Sequence, residues 1–166
     1  MSAPRLPKLV EADARASQVA RALAAESVPL WARSAVRVAR VRSTPALTAV
    51  LQQAAKAEQL VRGLEGAMRT LDAEARGQRI ADEKSGAPRG VRISRLLLLA
   101  DDGAERFYRD VEGLLRHHGE RVLAIRVALD AVALGTLLFG ADEPTRAALV
   151  EHKEAVAAVL FALVEP

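Results

Sequence analysis

Apolar positions in the first half of the chain recur every three to four residues, and after about residue 90 they gather into short continuous or alternating runs. The stretch "PKLVEADARASQVARALAAES" carries Leu9, Val10, Val19, Ala20 and Leu23 with acids early and arginines later, which predicts an amphipathic helix. Beyond Val28-Pro29, "LWARSAVRVARVR" sets Arg33, Arg37 and Arg40 at helical spacing and Leu30, Val38 and Val41 on another face. That spacing predicts a second helix with a dense basic side, completed by Arg42. Thr44 followed by Pro45 is a helix start, an N-cap hydroxyl and then a residue whose missing N–H costs nothing in the first turn. Leu47, Leu51, Ala54, Val61, Leu64, Met68 and Leu71 follow at near-heptad spacing. Two structures fit them. One is a single helix of about 30 residues, able to pair as a homodimer through Leu47 to Leu71. The other is two shorter helices joined by an extended "LVRG", because Gly63 and Gly66 would each cost about 1 kcal/mol inside a helix. The polar, Gly- and Pro-containing "GQRIADEKSGAPRG" predicts a flexible linker over 77–90.

From Val91 the pattern is that of strands alternating with helices. "VRISRLLLLA" mixes an alternating start with a continuous apolar run, the mark of a strand buried on both faces. "DDGAERFYRDVEGLLRHHGE" predicts a helix with Asp102 as its cap, Phe107, Val111, Leu114 and Leu115 as one stripe, and Gly119 after its end. "RVLAIRVAL" reads as a second strand, "DAVALGTLLFG" as a helix between Asp130 and Gly140, "TRAALVEH" as a third strand and "KEAVAAVLFALV" as a closing helix. Such alternation predicts right-handed crossovers and a small, mostly parallel sheet with helices on both faces. The expected architecture is α/β, a three-layer α/β/α domain over 44–166 with an N-terminal helical extension over 1–43.

Composition narrows the chemistry. Hydrophobic residues make up 51% of 166, enough to fill one core. No apolar run approaches the roughly 18 residues of a membrane span, and "MSAPRLPKLVEADARAS" lacks the layout of a signal peptide, so a cytoplasmic protein with no membrane partner is expected. Without cysteine there are no disulfides, thiolate nucleophiles or cysteine-ligated metals. One Trp, one Tyr and three Phe leave little for base-stacking platforms. The net charge is only +3, yet 20 of the 24 basic residues are arginine, whose planar fork suits phosphate. The same bias also suits a GC-rich bacterial genome, in which case the arginine face is simply solvated.

Three motifs then carry a family likeness. "LLLLADDGAERF", "DAVALGTLLFG" and "TRAALVEHKEAVAAVL" together resemble the kink-turn RNA-binding ribosomal protein family and its relatives in release factors and rRNA methyltransferase substrate domains. Ala100 to Asp102, Leu134-Gly135 and Ala147 to Val150 match its strand end, its Leu-Gly pair and the strand leading to its terminal helix, over roughly three quarters of the chain. The resemblance implies a structured RNA or ribonucleoprotein partner, read by a glycine at a helix N-terminus followed by a basic residue. Here that stretch is "GLEGAMR", from Gly63 to Arg69, with Glu65 and Gly66 at the two readout positions. RNA contacts are therefore expected from Arg62, Gly63 and Arg69 and from Arg33, Arg37, Arg40 and Arg42, directed at shape and phosphate.

The stretch from Ile93 to Leu134 also resembles the first half of a response-regulator receiver, which implies Asp101 and Asp102 as Mg²⁺ ligands. Glu151 and His152 stand where that family's third strand ends in a phosphoaccepting aspartate, so the likeness implies a partner-binding signalling module rather than a phosphorylated one. Asp101 and Asp102 serve equally as a turn and a helix cap. His117 and His118, adjacent on a helix, diverge by about 100° and fit a charged C-terminal turn better than a metal site with His152. No Walker spacing and no nucleophile elbow occurs. The expected protein is non-enzymatic, needs no cofactor or metal, and binds RNA, the alternative being a protein-interaction module.

Overall fold

The computed structural model describes residues 5–86, 91–140 and 143–165. Along the chain run α1 (Lys8–Glu11), α2 (Ala16–Ala25), β1 (Ser27–Pro29), β2 (Arg37–Val41), α3 (Pro45–Lys56), β3 (Leu60–Arg62) and α4 (Leu64–Ser85). They are followed by β4 (Arg95–Leu99), α5 (Glu105–His118), β5 (Val122–Val127), α6 (Ala131–Phe139), β6 (Ala147–Val150) and α7 (Lys153–Ala162). The strands form one sheet in the order β1-β2-β5-β4-β6-β3. Its centre, β2 with β5 and β5 with β4, is parallel, while β6 pairs antiparallel with both β4 and β3 and β1 antiparallel with β2.

Side chains alternate between two cores. Leu96, Leu98 and Ala100 face one side with Ile125, Val127, Ala148 and Val150, under α1, α2, α3, α6 and α7. Leu97, Leu99, Ala124 and Leu149 face the other, under α4 and α5. A strand covered on both sides has no polar face to show, and for that reason the leucines run without interruption. The three-layer α/β/α architecture predicted from the sequence follows. Helix ends also fall where local chemistry places them. Thr44 Oγ1 accepts from Leu47 N–H at 3.1 Å, Asp130 Oδ1 accepts from Ala133 N–H at 2.7 Å, and Gly140 closes α6 in the left-handed conformation at φ 62°.

Several expectations are corrected. Arg37 to Val41 is a strand, because Val38 and Ala39 must each reach a different core, which only a two-residue period allows. Residues 1–43 are not a helical extension: in their described part β2 joins the central sheet, and Val10 and Val19 belong to the core. Of the two structures that fit the 47–71 stretch, the two-helix one is found: α3 ends at Lys56, the extended β3 follows and α4 starts after Gly63, and with Leu47, Leu51, Ala54 and Leu71 buried within the chain no heptad seam remains for a homodimer. The predicted linker is helical as far as Ser85, capped by left-handed Gly86, and its residues 87–90 lie outside the described residues. Asp102 does not cap α5, whose N-cap is Ala104; its Oδ1 accepts from Ala131 N–H at 2.9 Å, at the start of α6.

The antiparallel entry of β6 has a local cause. Residues 143–145 run back along α6, so that Thr145 N–H donates to the Ala131 carbonyl at 2.9 Å and β6 starts at the end of the sheet where β5 left it. Gly135 makes this possible, since a Cβ there would fall on the Glu143 carbonyl oxygen.

Candidate nucleic-acid interface

β3 ends at Arg62, and the chain then turns through Gly63 at φ 83°, ψ 158°, a region open essentially to glycine alone. Gly63 N–H donates to the Ala147 carbonyl at 2.8 Å, which pins the turn to the start of β6 and brings Arg146 beside it. From there α4 runs 22 residues without a side-chain N-cap. Its first-turn N–H groups and its dipole are thus available to an anion. Arg69 folds back toward this turn, its Nη2 lying 3.9 Å from where a Gly66 Cβ would stand. Arg69 and Arg146 are exposed and have no side-chain partner among the described residues. Arg62 is engaged: it meets Glu143 Oε2 at 3.1 Å and the Glu143 carbonyl at 3.3 Å, and its guanidinium lies 5.1 Å from the centre of the Phe139 ring. Glu65, exposed in the same first turn, adds a second negative charge at the rim.

The other predicted arginines lie elsewhere. β2 and β3 are separated by β5, β4 and β6, about 19 Å at the usual strand spacing. Arg33, Arg37, Arg40 and Arg42 therefore form no single patch with Gly63. Nor do all four share a face with one another, although Arg40 and Arg42 line one cavity beside Glu26 and Thr44. Arg33 is exposed between β1 and β2, Arg42 is exposed after β2, and Arg37 bonds the Ser27 side chain and carbonyl. Arg40 points to the opposite side of β2, where it is tied to Asp101 at 2.7 Å and Glu26 at 3.3 Å.

Asp101, at the end of β4, is held from one side by the adjacent strand β5 and by β2 beyond it. Its Oδ2 takes Arg40 and its Oδ1 takes Arg126 at 3.1 Å, while the Arg126 guanidinium rests 4.4 Å from the centre of the Tyr108 ring. Tyr108 in turn donates to the Ala100 carbonyl at 2.6 Å and accepts from Gly103 N–H at 3.1 Å. Burial pushes the Tyr108 phenol above its ordinary value. Asp101 is bound by two guanidinium groups and Asp102 accepts from Ala131 N–H, so the two residues of the receiver-like pair form a structural clasp here. Among the described residues the acids and histidines that do converge are Asp72, His117 and His118, a grouping hidden from the sequence because Asp72 sits on α4 and the histidines on α5. His152, at the start of α7, is not among them.

Arg146 is the residue of this interface that sequence reasoning missed. Only the β3–β6 register, Arg62 opposite Ala148, carries it to Gly63.

Fold and site together define a three-layer α/β protein with an open sheet and an uncapped, arginine-flanked helix start beside one edge strand. No protein-family model matches the chain, and no curated protein does. A solved structure, that of a protein with unknown function from Bacillus halodurans, aligns with a TM-score of 0.48 and 18% identity, covering 75% of this chain and 100% of that one. No helix among the described residues is long and apolar enough to cross a membrane.

Proposed function

We propose that the protein is a non-catalytic, cytoplasmic RNA- or ribonucleoprotein-binding protein that grips phosphate at the start of α4. The observation that carries this reading is the Gly63 turn, which presents an uncapped helix N-terminus beside Arg69, with Arg146 next in the chain to the Ala147 whose carbonyl Gly63 bonds. Backbone N–H groups, a helix dipole and two free guanidinium groups form a phosphate-receptive set without base-specific side chains. Recognition is then by backbone shape, in line with Glu65 and Gly66 at the positions where base readout was expected. A phosphate arriving here competes with Glu143 for Arg62 and is opposed by Glu65.

A gel-shift titration of a structured RNA at increasing salt tests the reading. Two to three phosphate contacts predict a log–log salt slope of roughly −2 to −3. Arg69→Ala and Arg146→Ala should each reduce its magnitude by about 1, while Glu65→Gln should tighten binding. Absence of a shift at low salt, a salt-independent affinity, or indifference to both arginine variants refutes the proposal.

A further inference from the structure

Helices α4 and α5 bring three metal-ligating side chains together. Asp72 lies on α4, and His117 and His118 occupy the last turn of α5. One donor atom from each lies within 4.8 Å of the other two. Asp72 Oδ1 is 3.0 Å from His118 Nε2 and 3.7 Å from His117 Nε2, bracketing the roughly 3.3 Å edge of a tetrahedron with 2.0–2.1 Å metal–ligand bonds. The adjacent imidazoles stand edge to face, with ring centres 4.9 Å apart.

A second observation concerns what these atoms lack. The His118 side chain is 2% exposed. Its Nε2 and Asp72 Oδ1 are both shut off from solvent, yet neither makes an aligned hydrogen bond despite their closeness. Buried polar atoms without an aligned partner cost about 1 to 3 kcal/mol each, so this misaligned pair, 3.0 Å apart, keeps ligand capacity in reserve. A cation between them accepts both lone pairs at once. Burial first, and then the charge of Arg121, hold the His118 imidazole below its ordinary pKa. Arg121 itself is offset by Glu74 at 3.1 Å, which limits its repulsion of a cation.

We propose that Asp72, His117 and His118 bind a divalent transition-metal ion of the Zn²⁺ class, joining α4 to the end of α5 and leaving a fourth position open to water. Two imidazoles and one carboxylate select zinc, cobalt or nickel over magnesium and calcium, which prefer oxygen alone. His117, 69% exposed, closes the site from the solvent side.

The test uses the full chain, freed of metal by chelation and titrated calorimetrically with Zn²⁺, and in parallel with Co²⁺, whose visible absorption reports four-coordinate nitrogen and oxygen ligation. One saturable site per chain is expected. His117→Ala, which removes an exposed side chain and spares the core, should weaken Zn²⁺ by roughly 10-fold or more, and Asp72→Asn by at least as much. His152→Ala should change nothing. Absence of saturable Zn²⁺ binding, or an affinity untouched by His117→Ala, overturns the assignment; should Asp72→Asn fail to fold, His117→Ala decides alone. RNA affinity plays no part in this readout, so failure here leaves the reading of the Gly63 turn standing, and the reverse.

Discussion

Removing the Asp101 carboxylate should loosen the end of the sheet by an amount the structure allows to be worked out. Asp101 is 22% exposed and Arg126 16%, so their contact at 3.1 Å lies between an exposed pair and a dry one. Exposed pairs contribute about 0.2–1 kcal/mol, and breaking a fully buried one costs about 3–5 kcal/mol. Arg126 also loses nothing of its stacking on Tyr108, and Arg40 keeps Glu26, so Arg40 is left out of the sum. Asp101→Ala should therefore cost about 2 kcal/mol, and Asp101→Asn, which keeps an acceptor without the charge, should fall between it and wild type. For a chain of this size that is a drop in Tm of about 4–8 °C, measured by circular dichroism at neutral pH and confirmed by urea unfolding. Should Asp101→Ala unfold within about 0.5 kcal/mol of wild type, a spread typical of surface changes, the clasp is not a stabilising feature. If Mg²⁺ raised the Tm of wild type but not of Asp101→Ala, Asp101 would be a cation ligand and the clasp reading would be wrong.

Two further outcomes follow from close contacts. Gly135→Ala puts a methyl group onto the Glu143 carbonyl and should cost at least about 1–3 kcal/mol in urea unfolding; a variant as stable as wild type would mean that the return of the chain along α6 is slack. Tyr108 is the only tyrosine, so its phenolate absorbance can be followed alone. With a folded-state pKa above the unfolded one, its stabilisation is complete below about pH 10 and is lost as pH rises through the folded value. The ionisation midpoint of the native chain should thus exceed that of the urea-unfolded chain, and an equal or lower midpoint would contradict the burial of the hydroxyl.

What could be read in advance divides along physical lines. Thr44-Pro45, Asp130 with Gly140, and the leucine run were legible because a cap or a doubly buried strand depends on residues a few positions apart. β2 was not, since arginines at 33, 37 and 40 imitate a helical face while the competing signal, Val36, Val38 and Val41 against Arg37, Arg40 and Arg42, slips at Ala39. The choice between one helix and two over Leu47 to Leu71 was decided between Lys56 and Leu64, where left-handed Glu58 follows α3 and β3 pairs with β6, which no local pattern states. Of the candidate interface, Gly63 and Arg69 were foreseen and Arg146 was not, because strand register is a non-local property.

By itself the sequence determined where α3 begins and where α6 begins and ends, that the leucine tetrad is buried on both faces, and that cysteine chemistry is absent. Those properties rest on neighbours in the chain and on composition. Tertiary structure alone decided which charges meet. It spent Asp101 on Arg40 and Arg126, spread the arginine-rich segment over both sides of a strand, and set Asp72 against His117 and His118. Each of these contacts joins residues from different elements, and their encounter depends on sheet order and helix packing, which emerge only when the whole core closes.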